Sequence, residues 1–209
     1  MLMLRKIKLL LAEHDNDWIE VFEKEIRKDT RFIYLGHART PEDGIEKACD
    51  LEPDVVVTDI YFDHSSLREY GIHAARRIRI NTGSKVVFFT NSDDMDLLLK
   101  ACKIGLASGY IRKHDYSNYG DEIYNAVTTM TPLKSYIIRD VRNQLNGTGD
   151  SVLTKIINRT IEGTKDREEL FDDKTVSRYK TKIYKALGFD KDVHEKNREA
   201  VLRRVFETW

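Results

Sequence analysis

Net charge is what this sequence most plainly lacks. Its 209 residues carry 35 Lys+Arg against 35 Asp+Glu, so no overall field draws the molecule toward nucleic acid or an anionic membrane. A polyanionic partner would have to be met by a local patch. Cysteine is nearly absent as well. Cys49 and Cys102 are the only two, with neither a CxxC pair nor Cys/His ligand spacing, which argues against structural zinc. Both fall in stretches of helical apolar periodicity and are expected as buried free thiols in a reducing compartment. No apolar run approaches the roughly 18 residues of a spanning helix, so no membrane partner is expected. Met1-Leu-Met-Leu and Arg5-Lys-Ile-Lys lead straight into a strand-like run without the layout of a signal peptide. The expectation is a cytoplasmic protein.

What is present is alternation. Ile7 to Ala12 is continuously apolar, as in a parallel strand covered on both faces. Asn16 to Lys28 then places Trp18, Val21, Phe22 and Ile26 at helical spacing. Phe32 to Gly36 reads as a second strand, and Pro41 opens a helix with Ile45 and Ala48 on one face. Val55 to Thr58 is a third strand, ending at Asp59. A helix from about Gly71 to Ile80 leads to a fourth strand, Lys85 to Thr90. Asp94 to Ile104 reads as helix, Gly109 to Arg112 as a short fifth strand, and Gly120 to Met130 as helix. Five βα units in this length predict an α/β domain built on a doubly wound, five-stranded parallel sheet.

Thr131-Pro132 breaks the last of these helices. Leu133 to Leu145 forms another amphipathic helix, and Asn146-Gly-Thr-Gly-Asp150 is a loop. Beyond it no strand-like run occurs, only short helices: Ser151 to Gly163, Arg167 to Phe171, Asp173 to Leu187 and about Glu195 to Phe206. The organisation expected is a first domain over 1–130, a linker over 131–150 and a small all-α domain over 151–209.

In a doubly wound sheet the ligand site lies at the carboxyl ends of the strands, near the topological switch point. Glu13, His14 and Asp15 follow the first strand, Asp59 ends the third, Thr90 ends the fourth and Lys113 follows the fifth. A carboxylate placed there can attack a phosphoryl group. Neighbouring carboxylates can hold Mg²⁺ through hard oxygen ligands, while an ammonium and a hydroxyl meet the phosphoryl oxygens. Asp15-Asn-Asp17 also invites comparison with phosphotransferases of the haloacid-dehalogenase type. Two polar residues precede this segment, however, and it runs directly into a helix, so Asp15 or Asn16 is better read as an N-cap.

The runs LLLAEHD (9–15), PDVVVTDI (53–60), KVVFFT (85–90) and GLASGYIRK (105–113) resemble the receiver domain of response regulators, which has a flavodoxin-like fold. The resemblance implies that Asp59 accepts phosphate and that Thr90 and Lys113 assist. It makes Thr90 and Tyr110 the conformational switch, and Glu13, Asp59 and the Tyr61 carbonyl the ligands of Mg²⁺. The chain departs from that pattern at His14, where a second acidic residue is usual, so Mg²⁺ is expected to be held weakly. The segment between Asp59 and Gly71, which includes His64, is about four residues longer than usual, and His114 follows Lys113 in place of a common proline.

In the second part, Asp173 to Leu187 carries Lys174, Arg178, Lys180, Lys182 and Lys185 opposite an apolar stripe of Val176, Tyr179, Ile183 and Leu187, and Gly188 ends it. This is the local basic patch that the balanced total concealed. DKTVSRYKTKIYKALGF (173–189) and REAVLRRV (198–205) resemble the recognition and final helices of the LuxR/NarL-type helix-turn-helix output domain. The resemblance puts Ser177, Arg178 and Thr181 at base-reading positions, and Lys174, Thr175, Lys182 and Lys185 near the phosphates. The segment from Gly163 to Thr175 is about four residues shorter than usual. Together the two resemblances imply a homodimeric transcriptional response regulator, not an enzyme, whose partners are a histidine kinase and double-stranded DNA. Two alternatives stay open: a regulator independent of phosphorylation, and an adaptor whose C-terminal helices bind protein.

Overall fold

The computed structural model describes residues 5–62, 70–92, 94–104, 107–115 and 118–129, together with Arg178 and Thr181. The chain divides into two compact units, Met1–Leu133 and Lys134–Trp209. The linker helix, the loop after it and the four C-terminal helices expected from the sequence lie outside the described residues, as does His64. Only Arg178 and Thr181 are described in that region, both helical and exposed.

The first unit alternates strands and helices as their residue patterns require. Strand β1 (Ile7–Ala12) is followed by α1 (Asn16–Ile26), β2 (Phe32–Ala38), α2 (Pro41–Leu51) and β3 (Val55–Thr58). After these come α3 (Tyr70–Thr82), β4 (Lys85–Thr90), α4 (Met95–Ile104), β5 (Gly109–Arg112) and α5 (Tyr119–Thr128). The five strands form one sheet in the order β2-β1-β3-β4-β5, and every pairing is parallel. The doubly wound sheet expected from the sequence is therefore present. Its switch point falls between β1 and β3, where successive connections leave in opposite directions and open a crevice at the strand ends.

Strands this apolar need cover on both faces. Leu9, Leu11, Val55, Val57, Val87, Phe89 and Ile111 pack against Ile19, Phe22 and Ile26 of α1 and Tyr119, Ile123, Ala126 and Val127 of α5. Leu10, Val56, Val86 and Phe88, the alternate residues, are equally buried and serve the face covered by α2, α3 and α4. Helix starts are set by side chains. The Asp15 carboxylate accepts from the Asp17 amide to cap α1, the Thr40 hydroxyl caps α2 ahead of Pro41, and Asp94 accepts from the Leu97 amide at the start of α4. The capping role of Asp15 removes the ground for the dehalogenase-like comparison.

Two readings need correction. Strand β2 runs on past Gly36, which looked like a stop, because a bulge falls there. Leu9 pairs with Tyr34 and Leu10 with Gly36, so Leu35 is the extra residue, and Gly36 takes the φ of 122° that a side chain would resist. The bulge turns Tyr34 and His37, three apart, to the same side of the strand, where both meet the Glu23 carboxylate of α1. Cys49 is exposed and only Cys102 is buried. Ala48 already fills the inward position of α2, and the next residue turns by the helical step toward solvent.

Gly71 carries the tightest packing constraint in the fold. A Cβ built on it would lie 1.9 Å from the Asp59 carbonyl oxygen and 2.9 Å from that of Ile60, and the Gly71 amide donates to the Ile60 carbonyl. The backbone of α3 thus rests directly on the segment that presents Asp59. Gly44 of α2 is different, since its Cβ would meet only Ala12 Cβ at 3.3 Å and Ala38 Cβ at 3.8 Å. Gly71→Ala is expected to cost about 1–3 kcal/mol or more by forcing backbone apart. Gly44→Ala is expected to be near neutral, a helix-propensity gain of about 1 kcal/mol offsetting its tighter contact. Denaturant titration of the two variants checks the contrast.

Candidate functional site: a buried carboxylate pair bridged by lysine

The strand ends deliver the predicted residues to one place. The Glu13 amide donates to the Ala38 carbonyl, the Asp59 amide to the Ala12 carbonyl and the Lys113 amide to the Thr90 carbonyl. Each residue is therefore fixed by a bond to the neighbouring strand before its side chain emerges. Glu13, Asp59, Thr90 and Lys113 are all buried. Lys113 Nζ lies 2.8 Å from Asp59 Oδ2 and 2.6 Å from Glu13 Oε2. Glu13 Oε1 accepts from the amides of His14 and Asp15, both at 3.0 Å. Asp59 Oδ1 accepts from the Ile60 amide at 2.7 Å. Glu13 Oε2 is buried against the Lys113 ammonium as its ion-pair partner.

Two carboxylates against one ammonium leave a formal negative charge in a site nearly closed to water. Burial raises the Glu13 carboxyl above its ordinary range, the charge of Asp59 raises it further, and Lys113 pulls against both. This is the electrostatic condition of a site that attracts a second cation. Glu13, His14 and Asp59 each offer one ligand atom, and these atoms lie within 4.8 Å of one another. Two carboxylate oxygens and an imidazole nitrogen so grouped make a donor set that fits a divalent cation. Glu13 and Asp59 would hold it, with the cation screening charge on an incoming phosphoryl group. Tyr61, two residues past Asp59, is half-buried.

The other predicted residues occupy separate positions around this centre. Thr90 is buried at the end of β4, and its Oγ1 accepts from the Ser92 amide at 3.2 Å. Tyr110 is half-buried and turned toward α4, where its hydroxyl approaches Met95 Sδ at 3.7 Å. His14 is half-buried, with Nδ1 3.2 Å from Glu13 Oε1 and its ring 6.2 Å from that of Phe62. Arg178 and Thr181 are both helical and exposed. Lys174, Thr175, Ser177, Lys182 and Lys185 lie outside the described residues.

Sequence reasoning missed the support of Lys113. Its ammonium lies 5.8 Å from the centre of the Trp18 ring and 5.5 Å from that of Phe89, distances at which an aromatic face attracts a cation. The Tyr119 hydroxyl donates to the Lys113 carbonyl, and the Tyr119 ring packs on Phe22 and Phe89. Trp18 and Phe22 read from sequence only as one face of a helix. Nothing in a one-dimensional pattern separates a core aromatic from one that flanks a lysine 95 residues later.

The ion cluster gives opposite signs for two substitutions. Lys113→Met removes the shared counter-charge and leaves two carboxylates buried together, at an expected cost of about 3–5 kcal/mol in metal-free buffer. Asp59→Asn keeps an acceptor for the Ile60 amide and leaves Glu13 and Lys113 as a balanced pair, so stability should rise. Urea unfolding at neutral pH, without divalent metal, measures both.

No family model matches the chain. The transcriptional regulatory protein YdfI of Bacillus subtilis is 23% identical over 177 residues, covering 78% of this chain and 81% of the relative. LnrK, another transcriptional regulatory protein of that organism, is 30% identical over 125 residues, 59% of this chain; the chain spans about half of LnrK, 53%. Among solved structures, a LuxR-family two-component response regulator from Aurantimonas sp. superposes with a TM-score of 0.54 at 22% identity, over 66% of this chain and 99% of that one. Among the described residues, no helix is long and apolar enough to cross a membrane. Fold, strand-end residues and relatives agree: the chain is similar to transcriptional regulatory proteins, and its first unit has the fold of a response-regulator receiver domain.

Proposed function

We propose that the chain is a cytoplasmic, DNA-binding transcriptional response regulator whose switch is phosphorylation of Asp59 by a partner histidine kinase. The observation that carries the reading is the contact of buried Asp59 with Lys113 at 2.8 Å, beside Glu13, at the switch point of the sheet. In the reaction a carboxylate oxygen of Asp59 forms a bond to phosphorus as the phosphorus–nitrogen bond of the kinase phosphohistidine breaks. The departing imidazole takes its proton from solvent. Lys113 leaves its position between the carboxylates to neutralise the phosphoryl oxygens; Glu13, Asp59 and the Tyr61 carbonyl would hold a divalent cation, which would supply further neutralising charge. With His14 supplying no carboxylate, these residues would hold Mg²⁺ weakly. The Thr90 hydroxyl turns toward the phosphoryl group, and Tyr110 follows into the space released. That movement alters the surface through which two chains pair, and the dimer places two basic helices on paired half-sites of double-stranded DNA.

One observation favours a second reading. With His14 where another acid is usual, the site holds less repulsion for phosphate and metal to relieve. The active arrangement is then partly populated without phosphate, and DNA binding changes little on phosphorylation.

Incubation with a small-molecule phosphodonor and divalent metal should add one acid-stable, base-labile phosphoryl group to the wild type and none to Asp59→Asn. Equal labelling of the two would place the acceptor elsewhere. On DNA, Arg178→Ala is expected to relax sequence preference by about 1–3 kcal/mol, the worth of a base-edge contact. Lys182→Ala or Lys185→Ala should weaken binding to all sequences alike and flatten its salt dependence. Unchanged DNA affinity in all three variants would favour the protein-binding adaptor.

A further inference from the structure

We infer that the strand-end site prefers a first-row transition cation of the Mn²⁺ kind over Mg²⁺, with the His14 imidazole as a ligand. The inference rests on the metal site proposed above and names its occupant. His14 belongs to the site by position: one of its ring nitrogens, a Glu13 oxygen and an Asp59 oxygen all lie within 4.8 Å of one another. The imidazole is half-buried, beside the Glu13 carboxylate on one side and the Phe62 ring on the other. Glu13 is fixed in turn, because Oε1 accepts from two successive backbone amides. Its Oε2 is buried against the Lys113 ammonium.

The donor chemistry then decides between cations. Mg²⁺ demands near-octahedral oxygen coordination and gives up water reluctantly, so it relies on the charge of its carboxylates. This site has two carboxylates, and the ammonium of Lys113 already offsets one of them. The electrostatic pull on any dication is correspondingly reduced, and a larger share of the affinity must come from the ligand bonds themselves. Mn²⁺ shares with Mg²⁺ a preference for carboxylate and carbonyl oxygen, but as the first of the first-row transition cations it also accepts an imidazole, which Mg²⁺ takes poorly. Replacing an acid by His14 therefore lowers affinity for the one cation while keeping it for the other.

Carboxylate sites without imidazole also bind Mn²⁺ somewhat better than Mg²⁺, so the change of the ratio across variants carries the test. Full-length wild type, His14→Asp and His14→Ala are titrated calorimetrically with MnCl₂ and with MgCl₂, and the Mn²⁺-loaded chains are studied by pulsed electron paramagnetic resonance. Loss of the imidazole in His14→Ala should weaken Mn²⁺ binding about tenfold and leave Mg²⁺ binding near the wild-type value. His14→Asp should strengthen Mg²⁺ binding and shrink the ratio. The wild type should show ¹⁴N hyperfine coupling to Mn²⁺ that both variants lose. An unchanged ratio across the three chains, absence of ¹⁴N coupling in the loaded wild type, or failure of the wild type to bind Mn²⁺ would each overturn the inference. Asp59→Asn separates this from failure of the underlying reading: if both metals bind it as tightly as the wild type, they sit elsewhere and the metal site itself is misplaced.

Discussion

The ammonium of Lys113, held between the buried carboxylates of Glu13 and Asp59, is the interaction on which the rest of the site depends. Removing charges from water costs several kcal/mol per ion, and only close geometry with further hydrogen bonds repays it. Here the repayment is spread over distant parts of the chain. Two amides after β1 hold one Glu13 oxygen, the Ile60 amide holds one Asp59 oxygen, and Tyr119 of α5 holds the Lys113 backbone. Trp18 and Phe89 flank the ammonium. The cluster therefore ties three strand ends and two helices together, and displacing Lys113 must be felt in all of them.

Topology explains why the charges meet where they do. The sheet order β2-β1-β3-β4-β5 sets β1 beside β3, with their connections departing in opposite directions. Glu13 and Asp59 stand on the two sides of the crevice between their ends. Gly71 closes the underside, since only a residue without Cβ lets α3 lie against the Asp59 carbonyl. Asp59 is thus held by the close approach of Gly71 to its carbonyl and by the charge of Lys113 at its carboxylate. A change of charge is the natural way to disturb such an arrangement, and the phosphorylation proposed for Asp59 would bring one.

Much of this was legible in the sequence because its signals are local. Continuous apolar strands, the cap at Asp15, the Pro41 helix start and polar residues at four strand ends all sit where one-dimensional patterns reveal them. The failures share a different cause. Gly36 looked like a strand end because a bulge and a stop use the same residue. Cys49 looked buried because it adjoins Ala48, and a single helical step separates core from solvent. The roles of Trp18, Phe89, Gly71 and Tyr119 depend on approaches between residues far apart in the chain, which no spacing encodes. His14 was visible as a departure, but its place within 4.8 Å of both carboxylates turns it from a missing acid into a candidate ligand.

The central claim is that Asp59, between Lys113 and a cation, is built to carry a phosphoryl group. Beryllofluoride mimics an acyl phosphate by binding a carboxylate oxygen, and its bound fluorines report the surroundings of that oxygen. In ¹⁹F magnetic resonance with Mg²⁺ or Mn²⁺ present, the wild type should show resonances shifted from free fluoroberyllate, and Lys113→Met should move or broaden them. Asp59→Asn should show only the free species. A bound signal that persists unchanged in Asp59→Asn, or no bound signal in the wild type with either metal, would contradict the account.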